Sequence, residues 1–199
     1  MKQFADWHNI PFHWVDFKDQ PKEKAFAEVE KLIEAYQADL TVLARFMQII
    51  PDHLCKKLAG KAINIHHSFL PSFAGAKPYL QAYNRGVKLI GATCHYVTSD
   101  LDEGPIIEQE VMRISHSDTS ADMVRKGKNC EKTALANGVR YHLEDRVIIH
   151  KSKTVVFAWC LSILSATAKQ TATEIEFYKR LIPLFQIWGI NKPSNLLRR

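Results

Sequence analysis

Two short apolar runs, Leu40-Thr41-Val42-Leu43-Ala44 and Ala62-Ile63-Asn64-Ile65-His66, frame a stretch holding Pro51, Leu54, Leu58 and Gly60. A continuous rather than alternating apolar run marks a strand covered on both faces. Proline at a first turn and glycine at a stop bracket a short helix between them. Strand, helix, strand in that order predicts a parallel pair joined by a right-handed crossover. The chain therefore reads as α/β, with a mostly parallel sheet flanked by helices.

The remaining segments extend this pattern. Pro11 to Phe17 is aromatic and β-branched and reads as a strand. From Gln20 to Tyr36, apolar residues at Phe26, Val29, Leu32, Ile33 and Tyr36 recur at helical spacing. A Ser-, Pro- and Gly-rich loop spans Ser68 to Gly75, followed by a helix over Pro78 to Asn84 that stops before Gly86. Strands are predicted at Gly91 to Val97 and Ile106 to Met112, and a long helix from about Thr119 to Leu143. Ser117, Asp118 and Thr119 are its capping candidates. Val147 to Ile149 and Thr154 to Phe157 read as a closing hairpin.

Composition narrows the function classes. Of 199 residues, 46% are hydrophobic and 24% charged, values that exclude wholesale disorder. No window of about 18 uncharged apolar residues suggests a membrane span, and Lys2, Asp6, His8 and Asp16 make the first segment unlike a signal peptide. Cys55, Cys94, Cys130 and Cys160 lie far apart without a CxxC pair, which argues against zinc and against a disulfide framework and favours a reducing cytoplasm. The net charge is +6. From Ala158 onward six basic residues outweigh two acids, so the main body carries little of the excess and has no strong polyanion footprint.

The chemistry-bearing string is Asn64-Ile65-His66-His67-Ser68. Alternate strand residues share a face, so Asn64 and His66 point the same way at the carboxyl end of a parallel strand. Open α/β sheets take ligands at such ends. An amide and an imidazole suit acyl chemistry, the first as an oxyanion donor and the second as a hydrogen-bonder or proton shuttle. A histidine near a strand end is also commonly a structural hydrogen-bonder. Asp102, in the Leu-Asp-Glu-Gly-Pro turn 36 residues after His66, reads either as a solvated turn residue or as a carboxylate folded over the same sheet end.

Three strings, Asn64-Ile65-His66-His67-Ser68-Phe69-Leu70-Pro71-Ser72-Phe73, Gly91-Ala92-Thr93-Cys94-His95-Tyr96-Val97 and Asp102-Glu103-Gly104-Pro105-Ile106-Ile107, together resemble the folate-dependent formyltransferase superfamily. Its hydrolase branch, the formyltetrahydrofolate deformylases, is the nearest. The likeness runs from about Phe12 to Phe157 and implies a Rossmann-like sheet. It implies the catalytic set Asn64, His66 and Asp102, and the hydrolysis of 10-formyltetrahydrofolate to formate and tetrahydrofolate, which supplies formate for purine biosynthesis. His67 stands where the transferase branch has proline, either as a catalytic residue or as a mark of the hydrolase branch. The implied folate-binding residues are Leu43, Arg45, Met47, Gln48, Ile49 and Ile50 with Val97, Ser99 and Asp100; Arg45 and Lys77 are candidates for an anionic ligand tail. No metal or cofactor is implied, and the partner is a small-molecule folate rather than nucleic acid or membrane. Self-association into a homo-oligomer stays open.

The resemblance also implies a first strand, a helix and a small regulatory domain ahead of Met1. The catalytic domain is thus expected at residues 1–157 without its first strand. Residues 158–199 form an unmatched extension with a helix from about Thr173 to Trp188, bent near Pro183. Two other readings stand beside hydrolysis: formyl transfer to a nucleotide or to methionyl-tRNA, and a truncated chain that binds folate without turnover.

Overall fold

The computed structural model describes residues 2–46, 48–70 and 78–157. In chain order the elements are α1 (Lys2–Trp7), α2 (Lys22–Ala35), β1 (Thr41–Ala44), α3 (Asp52–Lys57), β2 (Ala62–His66), α4 (Pro78–Arg85), β3 (Leu89–Tyr96), β4 (Ile106–Arg113), α5 (Ser120–Leu143), β5 (Val147–His150) and β6 (Lys153–Val156). The sheet has the order β1-β2-β3-β4. The strand–helix–strand unit gives its parallel part: β1 lies parallel to β2, with Leu43 opposite Asn64. Two antiparallel strands extend it, β3 beside β2 and β4 beside β3.

Helices cover the sheet, and the register assigns each strand residue to one of two faces. Ile63 and Ile65 of β2, with Ala92, Cys94 and Tyr96 of β3, pack in one core against Cys130 and Ala134 of α5. Ala62 packs instead with Phe26 of α2 and Leu54 of α3. Period-two alternation then sets Asn64 and His66 on the Ala62 face, away from α5. Thr93 and His95, across the ladder from His66 and Asn64, share that face. The close approach of α5 depends on Gly138, where a Cβ would fall 2.4 Å from Cys94 Sγ.

Local signals explain the helix ends. α5 opens with a capping box in which Thr119 accepts from the Asp122 amide and Asp122 accepts from the Thr119 amide. α3 carries Asp52 in its first turn and Lys56 and Lys57 in its last, matching the helix dipole. The β5–β6 hairpin is tied to β4 where the Thr154 hydroxyl donates to the Ile106 carbonyl. No described helix is long and apolar enough to cross a membrane.

One expected strand is absent. Residues 11–17 form no ladder, and β1 is the edge of the described sheet on its side. An aromatic, β-branched run becomes a strand only where a neighbouring backbone takes up its N–H and C=O groups. Here side chains fix the segment instead. Phe17 meets Phe26 and Phe46 edge-on at 5.1 and 5.6 Å, and the His13 ring hydrogen-bonds the Tyr36 hydroxyl. α1, which pattern alone did not predict, precedes it. The extension 158–199 and its expected helix lie outside the described residues.

Candidate active site

Asn64 and His66 sit on one face at the end of β2, and the turn between β3 and β4 brings a carboxylate to them. Asp102 occupies the left-handed region at φ 57°, which an aspartate tolerates better than most residues. Gly104 lets the turn lie against the sheet, because a Cβ there would come 1.7 Å from the Tyr96 carbonyl oxygen. As a result His66 Nδ1 is 3.1 Å from Asp102 Oδ2, and Asn64 Nδ2 donates to Asp102 Oδ1 at 3.4 Å. The pair is nearly dry, with side-chain exposures of 6% for His66 and 15% for Asp102. The hydrogen bond from His66 holds the Asp102 carboxyl well below the usual carboxylate range, against the opposing effect of burial. With Nδ1–H given to Asp102, the remaining ring nitrogen Nε2 is an acceptor. It is buried and has no hydrogen-bond partner among the described residues.

His95 belongs to the same cluster, and the sequence reading did not single it out. Its Nδ1 is 2.9 Å from the Tyr96 carbonyl, so Nδ1–H donates there and Nε2 is left to accept from Asn64 Nδ2 at 3.3 Å. That bond fixes the tautomer and holds the Asn64 amide by its nitrogen. The available signal was parity: His95 alternates with Thr93 in an otherwise apolar strand, directly before the Asp102 turn. Thr93, fully buried beside it, donates to the Ser68 carbonyl at 2.9 Å and accepts from the Leu70 amide at 3.0 Å and from Gln109 Nε2 at 3.0 Å. These bonds clamp the chain that follows His66.

Asn64, His66, His95 and Asp102 line a cavity of about 130 Å³. Leu43, Arg45, Gln48, Ile49 and Ile50 line one wall, and Val97, Ser99 and Asp100 the other, so both segments expected to hold a folate border it. Met47 and Lys77 lie outside the described residues. The Cys55 thiol reaches the Ile50 and Thr98 carbonyls, each at 3.6 Å, and so ties the two walls together. His67 also lines the cavity. Its ring centroid is 5.2 Å from that of His66 and 6.3 Å from that of Tyr79. Burial lowers the His67 pKa.

An amide, an imidazole and an ionised carboxylate converging on one small cavity fit attack on an acyl carbon. Residues 2–139 match the formyl transferase family model. The chain belongs to the formyl transferase family. Among curated members of the family, the formyltetrahydrofolate deformylase of Bacillus subtilis (strain 168) is 52% identical over 160 residues, covering 78% of this chain and 52% of that protein. The deformylase of Corynebacterium sp. (strain P-1) is 50% identical over 155 residues, covering 78% and 54%. The crystal structure of a formyltetrahydrofolate deformylase from Pseudomonas syringae pv. tomato str. DC3000 is 60% identical, with a TM-score of 0.76 and coverage of 78% and 52%. A phosphoribosylglycinamide formyltransferase from Anaplasma phagocytophilum is 31% identical, with a TM-score of 0.72 and coverage of 78% and 74%. The chain spans about half the length of the curated relatives it matches.

Proposed function

We propose that this chain hydrolyses 10-formyltetrahydrofolate to formate and tetrahydrofolate. The observation that carries the reading is the convergence of Asn64 and His66 on Asp102, each within hydrogen-bond reach of its carboxylate, in the cavity lining. A water occupies about 30 Å³ in the liquid, so the cavity accommodates the formyl group and one attacking water, while the pterin extends along the two walls. Water attacks the formyl carbon and passes a proton to the site. His66 Nε2 takes that proton, so Asn64 and the resulting imidazolium hold the tetrahedral oxyanion. Both Asn64 bonds are long, at 3.3 and 3.4 Å, so the amide can give up one of them to the developing charge. Asp102 fixes the imidazole and the water and assists proton delivery to N10. The C–N bond then breaks, leaving formate and the N–H of tetrahydrofolate. The folate is substrate, and no cofactor enters any step. The formate so released serves one-carbon and purine synthesis in the cytoplasm.

Removing one oxyanion donor typically costs about 100- to 1,000-fold in turnover. Asn64→Ala and His66→Ala are each expected to lose at least that much formate release while retaining the wild-type circular dichroism spectrum. Turnover near wild type in either variant refutes the assignment. A second reading, formyl transfer to an amine, draws on the glycinamide formyltransferase of known structure. Release of formate with no amine present separates the two. A chain that binds a folate analogue by calorimetry but releases no formate is a folate-binding module instead.

A further inference from the structure

Hydrolysis differs from transfer in the charge of its product. Transfer to an amine yields a neutral formamide, whereas water yields a carboxylic acid that ionises at neutral pH. That carboxylate forms beside Asp102, which is itself ionised throughout the ordinary pH range. Two anions side by side at a little-exposed carboxylate repel. Among the described residues that line the cavity, Arg45 is the sole lysine or arginine.

Arg45 is built into position rather than left to solvent. It directly follows β1 in the left-handed region at φ 57°, and its Nη2 donates to Glu131 Oε2 at 3.3 Å. Glu131 is a buried carboxylate on α5, and its other oxygen accepts from the Tyr79 hydroxyl of α4 at 2.9 Å. Tyr79 reaches it because Gly127, one turn earlier on α5, leaves room; a Cβ there would fall 2.1 Å from the ring. One long bond uses a single donor of the five that a guanidinium carries. The side chain stays 49% exposed and borders the cavity on the side of His67.

We propose that Arg45, tethered by Glu131, receives the small carboxylate released by hydrolysis. The site takes a monocarboxylate anion of formate size. This assignment rests on the hydrolytic reading above and adds to it the group that offsets the product's charge. The same chemistry would suit a carboxylate of the folate's glutamate tail, so the test separates the two sources.

The full chain is titrated with 13C-formate in the absence of folate, and binding is read from the broadening of the formate resonance. Wild type is expected to bind. Arg45→Gln is expected to weaken binding at least about tenfold, the scale of a charge-assisted contact, with Arg45→Lys retaining part of it. In the turnover assay, formate inhibition should weaken in Arg45→Gln more than KM rises. Glu131→Gln keeps a partner for Tyr79 and frees Arg45, so it should weaken formate inhibition with little change in KM. Wild type that binds no formate, or Arg45→Gln that binds it as wild type does, overturns the inference. So does a rise in KM for 10-formyltetrahydrofolate that vanishes with 10-formyltetrahydropteroate while formate binding holds, because Arg45 then serves the glutamate tail. A chain that binds formate through Arg45 yet releases none from the folate supports the anion site and sinks the hydrolytic reading.

Discussion

Replacing Gly104 by alanine perturbs the site without substituting any side chain in it. The new Cβ would sit 1.7 Å from the Tyr96 carbonyl oxygen and 3.1 Å from His95 Nδ1. Cβ contacts below 3.0 Å are essentially never seen, so the turn must lift by about 1.3 Å. The obstacle is backbone at the end of β3, where Tyr96 also donates its amide to the Pro105 carbonyl at 2.9 Å. It cannot rotate aside as a side chain would. Asp102, two residues earlier, moves with the turn, and contacts of 3.1 and 3.4 Å to His66 and Asn64 do not survive such a shift. Overpacking of this kind costs about 1–3 kcal/mol, and each kcal/mol lowers Tm by about 2–4 °C in a chain of this size. A misplacement of about 1 Å costs roughly 100-fold in rate. Thermal unfolding followed by circular dichroism should therefore show a fall of several degrees, and a formate-release assay a loss of about two orders of magnitude at temperatures where the variant is folded. Wild-type Tm together with wild-type turnover refutes the claim that the turn's contact with β3 positions Asp102.

Other outcomes follow from the same network. The Asp102 carboxyl titrates below its unfolded value, so it contributes stability that is complete above about pH 4 and is lost as pH falls toward its folded pKa. Urea titrations of wild type and Asp102→Asn should show a stability difference that is flat above pH 5 and narrows below pH 4; a difference that grows on acidification contradicts this. Thr93→Val strands the buried Leu70 amide, at about 1–3 kcal/mol. Hydrogen exchange at Leu70 should accelerate, and unchanged protection there argues against the clamp. Ile63 is fully buried between strands and α5, so Ile63→Ala should lower stability by about 2–5 kcal/mol in chemical denaturation.

The elements that sequence reveals best are those whose fate is decided locally. The apolar runs at 40–44 and 62–66 became β1 and β2, because burial on both faces needs no knowledge of the partner. The Thr119 cap located α5 to within a residue, since a capping box is satisfied inside four positions. Period two placed Asn64 and His66 together for the same reason. Residues 11–17 show where local reasoning ends: the propensity was sound, but a strand also requires a backbone neighbour, and none is present among the described residues. His95 escaped notice because its part depends on cross-strand register with Asn64, which alternation alone does not determine. The Glu131–Tyr79 bond was equally hidden. It links residues 52 apart in sequence and exists because a glycine on α5 omits one carbon.

The sulfur of Cys55 never meets the cavity, yet it sets how far apart the cavity's sides stand. Burial keeps this thiol protonated, so it remains a donor shared by two carbonyls at 3.6 Å. A hydroxyl in its place prefers contacts of about 2.7–2.8 Å and would have to draw both segments inward or release one of them. The width available to a flat aromatic ligand is therefore gauged by the radius of one hidden atom, and changes in what the mouth admits can arise from behind it.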